Sequence, residues 1–280
     1  MNIKTSGIII KRMNYGEADR ILTILTKDYG KIKAIARGSR KILAKLGGSL
    51  EPFCLVDFIF HQGKSFYIVT SASVKSHFEN IHSQIDKIAK VFYIGELIDR
   101  FLPEGEKHQD IFELTKKFLE YLDLPSSSGL TRRSRVYKKG SPRSLPRTAT
   151  RGGNDNHKCD SNFSLSVFSA KILEALGHKP EVVVCLHCRK KLLPEQNFWD
   201  DVEGGVICQS CHNKFGHGSE IPNDAIKTLR ILFSPNFSIG KNLNIEEKLK
   251  LVVGNILENY TESTIERELK SKKFLKDIIS

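Results

Sequence analysis

Two cysteine pairs constrain the fold of this chain more than any other feature. The pairs are Cys185 with Cys188 and Cys208 with Cys211, and 19 residues separate them. Two residues between cysteines let both thiolates of a pair reach one tetrahedral ion, and the gap suits two pairs that share a structural zinc. The pattern predicts one structural Zn²⁺ in a zinc ribbon over residues 185–211, with no open position for catalysis. Thiol–disulfide exchange by the pairs is the alternative.

The first 80 residues carry five strand-like stretches separated by turn-forming residues. Their longest connection falls between the third and fourth stretches and contains Gly47 and Gly48. The stretches are residues 7–11, 20–27, 31–37, 53–61 and 65–72. This arrangement favours a five-stranded OB-fold barrel over residues 1–80, with an SH3-like barrel as the alternative. Cys54, in the most apolar stretch, is expected to be a buried thiol.

The third predicted strand, within residues 30–41, alternates small apolar residues with basic ones. One face would pack inward, and the other would present cations that continue into a Gly-Ser turn. A cationic surface on a rigid barrel can hold nucleic-acid phosphates, although a solvated strand face is often lysine-rich as well. The predicted DNA-binding residues are Lys11, Arg12, Lys31, Lys33, Arg37, Arg40 and Lys41. Among these, the loop residues Arg37, Arg40 and Lys41 are favoured.

Positive charge is concentrated in two stretches of the chain. Residues 1–80 hold 13 Lys and Arg against 6 Asp and Glu, and residues 125–158 hold 9 against 1. Residues 81–124 are acidic and residues 159–280 are balanced, so the asymmetry indicates nucleic-acid contact by the barrel and the basic segment. With few apolar residues, the segment 125–158 is predicted to be disordered, as a spacer or as a cationic arm.

Helical periodicity begins at Ile81. The predicted helices cover residues 81–101, 109–122, 163–176, 222–232, 246–260 and 264–279. They would close one helical domain over residues 81–280, into which the basic segment and the ribbon are inserted. The expected fold class is α+β, with an N-terminal five-stranded OB-fold barrel followed by an all-α domain that carries a four-cysteine zinc ribbon.

Several function classes find no support in the sequence. No apolar run approaches the ~20 residues that a membrane span needs, and the N-terminus has no signal-peptide pattern. The expected location is therefore the cytosol. The sequence has no phosphate-binding loop, no H-E-x-x-H and no nucleophile motif, so we expect no enzyme. A metal-dependent nuclease would need a carboxylate cluster, and none stands out.

The order of these features resembles the RecO family of bacterial DNA repair and recombination mediators. The resemblance is carried by residues 7–11, 15–21, 30–41 and 163–177 together with the two cysteine pairs. It implies an OB-fold, binding of single- and double-stranded DNA, and annealing of complementary strands without nucleotide hydrolysis. It also implies two partners, RecR and the C-terminal tail of single-stranded-DNA-binding protein, and loading of RecA at DNA gaps that this binding protein coats. The implied location is the bacterial cytoplasm, associated with the nucleoid. An RNA-binding or ribosome-associated protein with the same barrel and ribbon remains the alternative.

Overall fold

The computed structural model describes residues 2–41, 50–125, 157–240 and 243–279. Its first five strands are β1 (Asn2–Tyr15), β2 (Asp19–Thr26), β3 (Gly30–Ala36), β4 (Leu55–Gln62) and β5 (Tyr67–Ser76). They close into a barrel in the order β1-β2-β3-β5-β4. This five-stranded barrel, in which β1 pairs with both β2 and β4, confirms the predicted OB-fold.

Strand β1 is longer than predicted because it has a partner on each side. Residues 2–8 pair with β4, and residues 7–15 pair with β2. A register shift between Ile9 and Lys11 marks a β-bulge, which bends the strand around the barrel. The polar ends of β1 lack the apolar alternation on which the prediction rested, so the sequence indicated only residues 7–11.

The barrel interior is filled by aliphatic side chains and two phenylalanines. Phe58 and Phe60 are fully buried, and their rings stack with centroids 5.0 Å apart. The barrel closes between β3 and β5, the one parallel pair among its described strands, where two residue pairs are in register: Ala34 with Tyr67 and Ile35 with Ile68. The β3–β5 pairing is the shortest among the pairings of the barrel strands.

The remaining elements form a helical part and a small sheet. In chain order they are α1 (Glu79–His82), α2 (Ile85–Phe101), α3 (Gln109–Leu122), α4 (His157–Ala175), β6 (Asn197–Asp200), β7 (Gly205–Cys208), α5 (Gln209–Phe215), β8 (Ser219–Ile221), α6 (Asn223–Leu232), α7 (Glu247–Ile265) and α8 (Lys270–Ile279). The prediction of one helix over residues 81–101 is wrong, since α1 and α2 divide it. The predicted helix start at residue 264 is also wrong, because α7 ends at Ile265 and the left-handed Glu266 separates it from α8.

The barrel and the helices share a hydrophobic core. Ile8 and Phe53 from the barrel are buried in one cluster with side chains of α2, α3 and α4. Helix α2 approaches β1 closely at Gly95, where an added Cβ would lie 2.9 Å from the Phe53 ring. Helix α2 therefore packs directly against the outside of the barrel.

The segment that follows α2 also lies against the barrel. The amide of Gly105 donates to the carbonyl oxygen of Lys31 at 2.8 Å, which extends the exposed edge of β3. Gly30 has φ +67°, and an added Cβ there would overlap the carbonyl oxygen of Glu106. Only glycine fits both the backbone conformation and this close approach.

The small sheet has the strand order β7-β6-β8, and the antiparallel pair β6 and β7 lies within the predicted ribbon segment. Its core, which contains Trp199 and Val206, is continuous with side chains of α4, α6 and α7. Most of the predicted disordered segment, residues 126–156, lies outside the described residues. Across the described ranges, none of the helices has both the length and the apolar character to cross a bilayer.

Candidate nucleic-acid interface and metal centre

Three cations lie together where β3 leaves the barrel. Arg37, Arg40 and Lys41, here called the basic rim, are all exposed. The rim is anchored on the turn between β1 and β2, because the amide of Gly38 donates to Oδ1 of Asp19 at 2.7 Å. The peptide nitrogen of Arg40 donates to Ala18 O at 2.9 Å. These bonds hold the backbone of the rim in one place on the barrel.

An exposed aromatic residue adjoins, in sequence, a backbone group that the basic rim contacts. The Arg40 guanidinium donates to the carbonyl oxygen of Gly16 at 3.1 Å, and Gly16 directly follows Tyr15, which is 52% exposed. Single-strand-binding barrels combine such cations with aromatic rings on which bases stack. Tyr29 is also exposed but lies in the turn between β2 and β3. Tyr15 is therefore the exposed aromatic residue next in sequence to the backbone that the rim contacts.

Arg20 belongs to the same end of the barrel, although it was not among the predicted residues. In the strand register it pairs with Asn14 on β1 and with Ala36 on β3. Ala36 directly precedes Arg37 of the basic rim. Its Nε is buried and finds no hydrogen-bond partner among the described residues, which is uncommon for a buried polar atom. The sequence signal was a cation two residues before Leu22 and four before Ile24, both of which face the barrel core.

The predicted cationic face of β3 is not a free surface. Lys31 is only 5% exposed, and its Nζ lies 3.1 Å from Oδ1 of Asp99 on α2. Lys33 forms an ion pair with Glu104. The hydrogen bond between the two side chains raises the pKa of Lys33. The expectation that Lys31 faces solvent is therefore wrong, because the end of α2 and the following segment cover that face.

The two predicted cations on β1 also have acidic partners. Nζ of Lys11 lies 3.3 Å from Oδ2 of Asp99, so Asp99 interacts with two lysines. The guanidinium of Arg12 lies 2.6 Å from Oε1 of Glu51. Lys11 remains exposed, and the basic rim has no such carboxylate partner among the described ion pairs. The acidic region after the barrel thus serves partly to neutralise barrel lysines.

The four cysteines converge as the sequence predicted. Their sulfur atoms all lie within 4.8 Å of one another, and Cys188 and Cys208 are 3.8 Å apart. Four sulfurs placed tetrahedrally about 2.3 Å from one Zn²⁺ would be about 3.8 Å apart. The donor set and its spacing therefore fit a closed, four-thiolate metal site.

Local backbone structure prepares the first cysteine for this role. Cys185 accepts a hydrogen bond from the amide of Cys208 at 3.4 Å. Burial by itself would raise the pKa of the Cys185 thiol, but amide donors from Cys208, Cys188 and His187 lower it to about 6. Such N–H donors stabilise the thiolate, which is the form that binds metal.

The neighbouring histidines have other partners. His212 stacks on Phe198 with ring centroids 3.4 Å apart. Nε2 of His187 lies 3.2 Å from Nε2 of His217, and Nδ1 of His217 lies 2.7 Å from Asp200. These contacts support the interpretation that the histidines pack the ribbon and leave the ion to the four cysteines.

This combination defines the class as an OB-fold protein with a four-cysteine metal ribbon on a helical scaffold. A family model for the "Recombination protein O N terminal" region matches residues 1–78. A model for the "Recombination protein O C terminal" region matches residues 82–134 and 154–273. The chain belongs to the RecO family of DNA repair and recombination proteins.

Curated relatives agree with the family models along nearly the whole chain. A DNA repair protein RecO of Dehalococcoides mccartyi is 32% identical over 256 residues, which cover 90% of this chain and 88% of the relative. The protein of the same name from Roseiflexus is 27% identical, covering 98% and 85% of the two chains. That from Caldicellulosiruptor saccharolyticus is also 27% identical, covering 99% and 98%.

Proposed function

We propose that this protein is a DNA repair mediator that binds single- and double-stranded DNA and anneals complementary strands without ATP. The barrel of residues 1–80 would bind DNA, and residues 81–280 would form the scaffold around it. The observation that carries the proposal is the exposed basic rim at one end of an OB-fold barrel. One rim residue, Arg40, contacts Gly16, which directly follows the exposed Tyr15. A cationic groove with a stacking ring is a common arrangement for binding a single strand.

The proposed DNA-contacting residues follow from charge and exposure. Arg37, Arg40 and Lys41 are exposed and lie outside the described ion pairs, so phosphates can reach them. Lys11 and Arg12 are accessible but would exchange a carboxylate partner for phosphate. Lys33 is held by Glu104, and Lys31 is too buried to contact DNA in this arrangement.

Annealing requires no chemical step from the protein. Two complementary strands repel each other through their phosphates, and a cationic surface lowers that repulsion while counterions are released. Stacking on Tyr15 would hold unpaired bases without selecting a sequence. A protein of this kind needs neither a nucleotide nor a catalytic residue, which agrees with a mediator that is not an enzyme.

The partners and the metal are proposed on family membership and on the donor set. As a RecO family member the chain would act with RecR and with the C-terminal tail of single-stranded-DNA-binding protein, and it would help load RecA at gaps. It would do so in the bacterial cytoplasm, at the nucleoid. The four cysteines would hold one structural Zn²⁺, the ion that four thiolates favour in closed sites.

A strand-annealing assay without ATP tests the proposal. Complementary oligonucleotides, one labelled, are mixed with the protein, both bare and coated with single-stranded-DNA-binding protein. We expect the protein to accelerate duplex formation in both cases. Duplex formation at the spontaneous rate, at protein concentrations that bind the strands, would refute the annealing role.

A competition experiment separates DNA from RNA as the ligand. Single-stranded DNA and RNA of equal length and sequence compete for the protein at one salt concentration. We expect DNA to bind at least as tightly as RNA. Preferential RNA binding would favour the ribosome-associated alternative instead of DNA repair.

A further inference from the structure

Four apolar side chains form one row across the outside of the barrel. In the strand register Met13 on β1 pairs with Ile21 on β2, which pairs in turn with Ile35 on β3. Ile35 also pairs with Ile68 on β5. Residues that pair directly lie on the same face of a sheet. These four residues, here called the apolar row, therefore lie side by side on four neighbouring strands.

The apolar row faces away from the barrel interior. Leu22 and Ala34, each next in sequence to a row residue, belong to the hydrophobic cluster inside the barrel, and side chains alternate between the two faces of a strand. Met13 is 52% exposed, and the three isoleucines are partly exposed. None of the four belongs to a hydrophobic cluster in the described part of the chain. The row is thus apolar surface that the described cores do not use.

Polar and charged residues border the apolar row on both sides. On one side Lys11 and Lys33 lie two residues before the row on β1 and β3, and both already form ion pairs. On the other side Tyr15 lies two residues beyond the row on β1, and Arg37 directly follows β3. Arg37 is exposed and belongs to the basic rim. The second border therefore offers a cation that lies outside the described ion pairs.

The separation between the basic rim and the apolar row suits one nucleotide. A strand advances about 3.3 Å per residue, so Ile35 lies about 6.6 Å from Arg37 along the chain. The sugar of a nucleotide separates its phosphate from its base by a comparable distance. A phosphate held by Arg37 would therefore place its base over the row. Neighbouring strands are about 4.8 Å apart, so the row is roughly 14 Å long and has room for more than one base.

We propose that the apolar row binds the bases of single-stranded DNA whose phosphates lie on the basic rim, and that it makes the protein prefer unpaired over paired strands. This inference rests on the function proposed above and names the residues that select the single strand. Phosphates are available to the rim in both forms of DNA. The faces of the bases are stacked on one another inside a duplex, so only a single strand can lay them on an apolar surface.

The contributions of the apolar row and the basic rim are separable by salt. Phosphate contacts release counterions and set the slope of log affinity against log salt. Contact between base faces and aliphatic side chains removes apolar surface from water and releases no counterions. A change in the row should therefore alter single-strand affinity by the same factor at every salt concentration, and the slope should stay as in wild type.

The test compares single-stranded and duplex DNA of about 16 nucleotides, bound to the full-length chain over a range of salt concentrations. Met13→Thr/Ile35→Thr removes apolar surface from the row and keeps residues that suit a strand. We expect single-strand binding to weaken about five- to tenfold, while duplex binding stays within about twofold of wild type. Leu193→Thr/Val202→Thr is the matched control, because these side chains lie outside the barrel and are 57% and 83% exposed. It should leave both affinities unchanged.

A second variant acts in the opposite direction, so that poor folding cannot imitate its expected effect. Met13→Trp places an aromatic ring at the most exposed position of the row, and tryptophan suits a strand. Because bases stack on such a ring, single-strand binding should tighten at least about threefold. Duplex binding should again stay as in wild type.

Three results would overturn the inference. The first is a threonine variant that loses no single-strand affinity, or that loses single-strand and duplex affinity equally. The second is a Met13→Trp variant whose single-strand affinity is unchanged. The third is self-association of the wild-type chain in sedimentation that the threonine variant abolishes, which would assign the row to contact between two copies. A wild-type chain that binds no single-stranded DNA would refute the proposed function itself, and this outcome differs from all three.

Discussion

Nζ of Lys31, on the third barrel strand, lies 3.1 Å from Oδ1 of Asp99 near the end of α2. The lysine side chain is 7% exposed and the aspartate 27%, so this ion pair is largely removed from water. The same ammonium donates to the backbone carbonyl oxygen of Asp99 at 2.5 Å. A lysine that the sequence offered as a DNA ligand therefore holds the barrel against the helices.

Replacing Asp99 should destabilise the protein strongly. Asp99→Asn leaves the buried Lys31 ammonium without its counter-charge, which costs about 3 kcal/mol for a pair of this burial. The measurement is the free energy of unfolding in urea at neutral pH. Glu104→Gln is the matched control, because the Lys33–Glu104 pair is about half exposed and should contribute less than about 1 kcal/mol. Equal losses in the two variants would contradict this assignment.

The Asp99 contribution should vanish in acid. Burial alone would raise the pKa of Asp99, but its hydrogen bond to Lys31 and the charges of Lys31 and Lys11 hold it below the usual 3.8. A group whose pKa is lower in the folded state stabilises the fold above its ordinary pKa, and this stabilisation is lost as the pH falls through the lowered value. The difference in unfolding free energy between wild type and Asp99→Asn should shrink below about pH 4. A difference that stays constant down to about pH 2 would argue against it.

Neutralising the basic rim should weaken DNA binding mainly at low salt. The triple change Arg37→Ala, Arg40→Ala and Lys41→Ala removes three exposed cations. The slope of log affinity against log salt for single-stranded DNA should fall by about 0.7 for each phosphate that the variant no longer neutralises, and by about 2 if each of the three cations binds one phosphate. Fluorescence anisotropy over a range of salt concentrations measures it.

A charge-matched triple variant serves as control for the rim. Lys190, Lys191 and Lys248 are exposed and lie outside the barrel, the first two between the cysteine pairs and the third on α7. Changing these three to alanine removes the same formal charge and should alter the slope far less. If both triples change the slope equally, binding depends on net charge and the rim has no special role.

Gly30 should tolerate alanine much less well than Gly16. Both have positive φ, but an added Cβ at Gly16 meets nothing within 4 Å, whereas at Gly30 it would clash with the Glu106 carbonyl oxygen. Gly16→Ala should therefore cost only the left-handed strain of about 1–2 kcal/mol. We expect thermal unfolding to show a clearly larger loss for Gly30→Ala. Similar melting temperatures would mean that the segment around Glu106 does not hold to β3 in solution.

Removing the ribbon metal should be visible through the single tryptophan. Trp199 is the only tryptophan of the chain, lies on β6 and is 3% exposed. Cys188→Ser, or a strong chelator, should open the ribbon and shift the Trp199 emission to longer wavelength, because a structural zinc contributes directly to folding. Emission that is unchanged after the ion has been removed would show that the ribbon folds without metal.

The elements that the sequence predicted well are those with a strong local pattern. Helix α3 has the bounds Gln109–Leu122 that its apolar periodicity indicated, and the two cysteine pairs meet as their spacing required. The spacing is enough to predict this cluster because two residues between cysteines let both sulfurs of a pair point to one place. Local sequence patterns thus specified most of the fold and the four-cysteine cluster.

The features that the sequence could not supply depend on distant parts of the chain. Alternation in β3 correctly placed Ala34 and Ala36 inside the barrel, but it could not show that Asp99 covers Lys31. The same reason hid Arg20, whose partners across the sheet are Asn14 and Ala36. A periodic pattern tells which residues share a face, and only tertiary packing decides what lies against that face.

The contact between Lys31 and Asp99 also bears on how the chain is made. The two residues are 68 positions apart, and the amide that extends the edge of β3 belongs to Gly105. Although the barrel strands leave the ribosome first, and N-terminal domains generally fold first during synthesis, Lys31 has no counter-charge until Asp99 has been translated and released from the exit tunnel. We therefore expect the nascent barrel to stay unfinished, and accessible to chaperones, until residues 99–106 emerge.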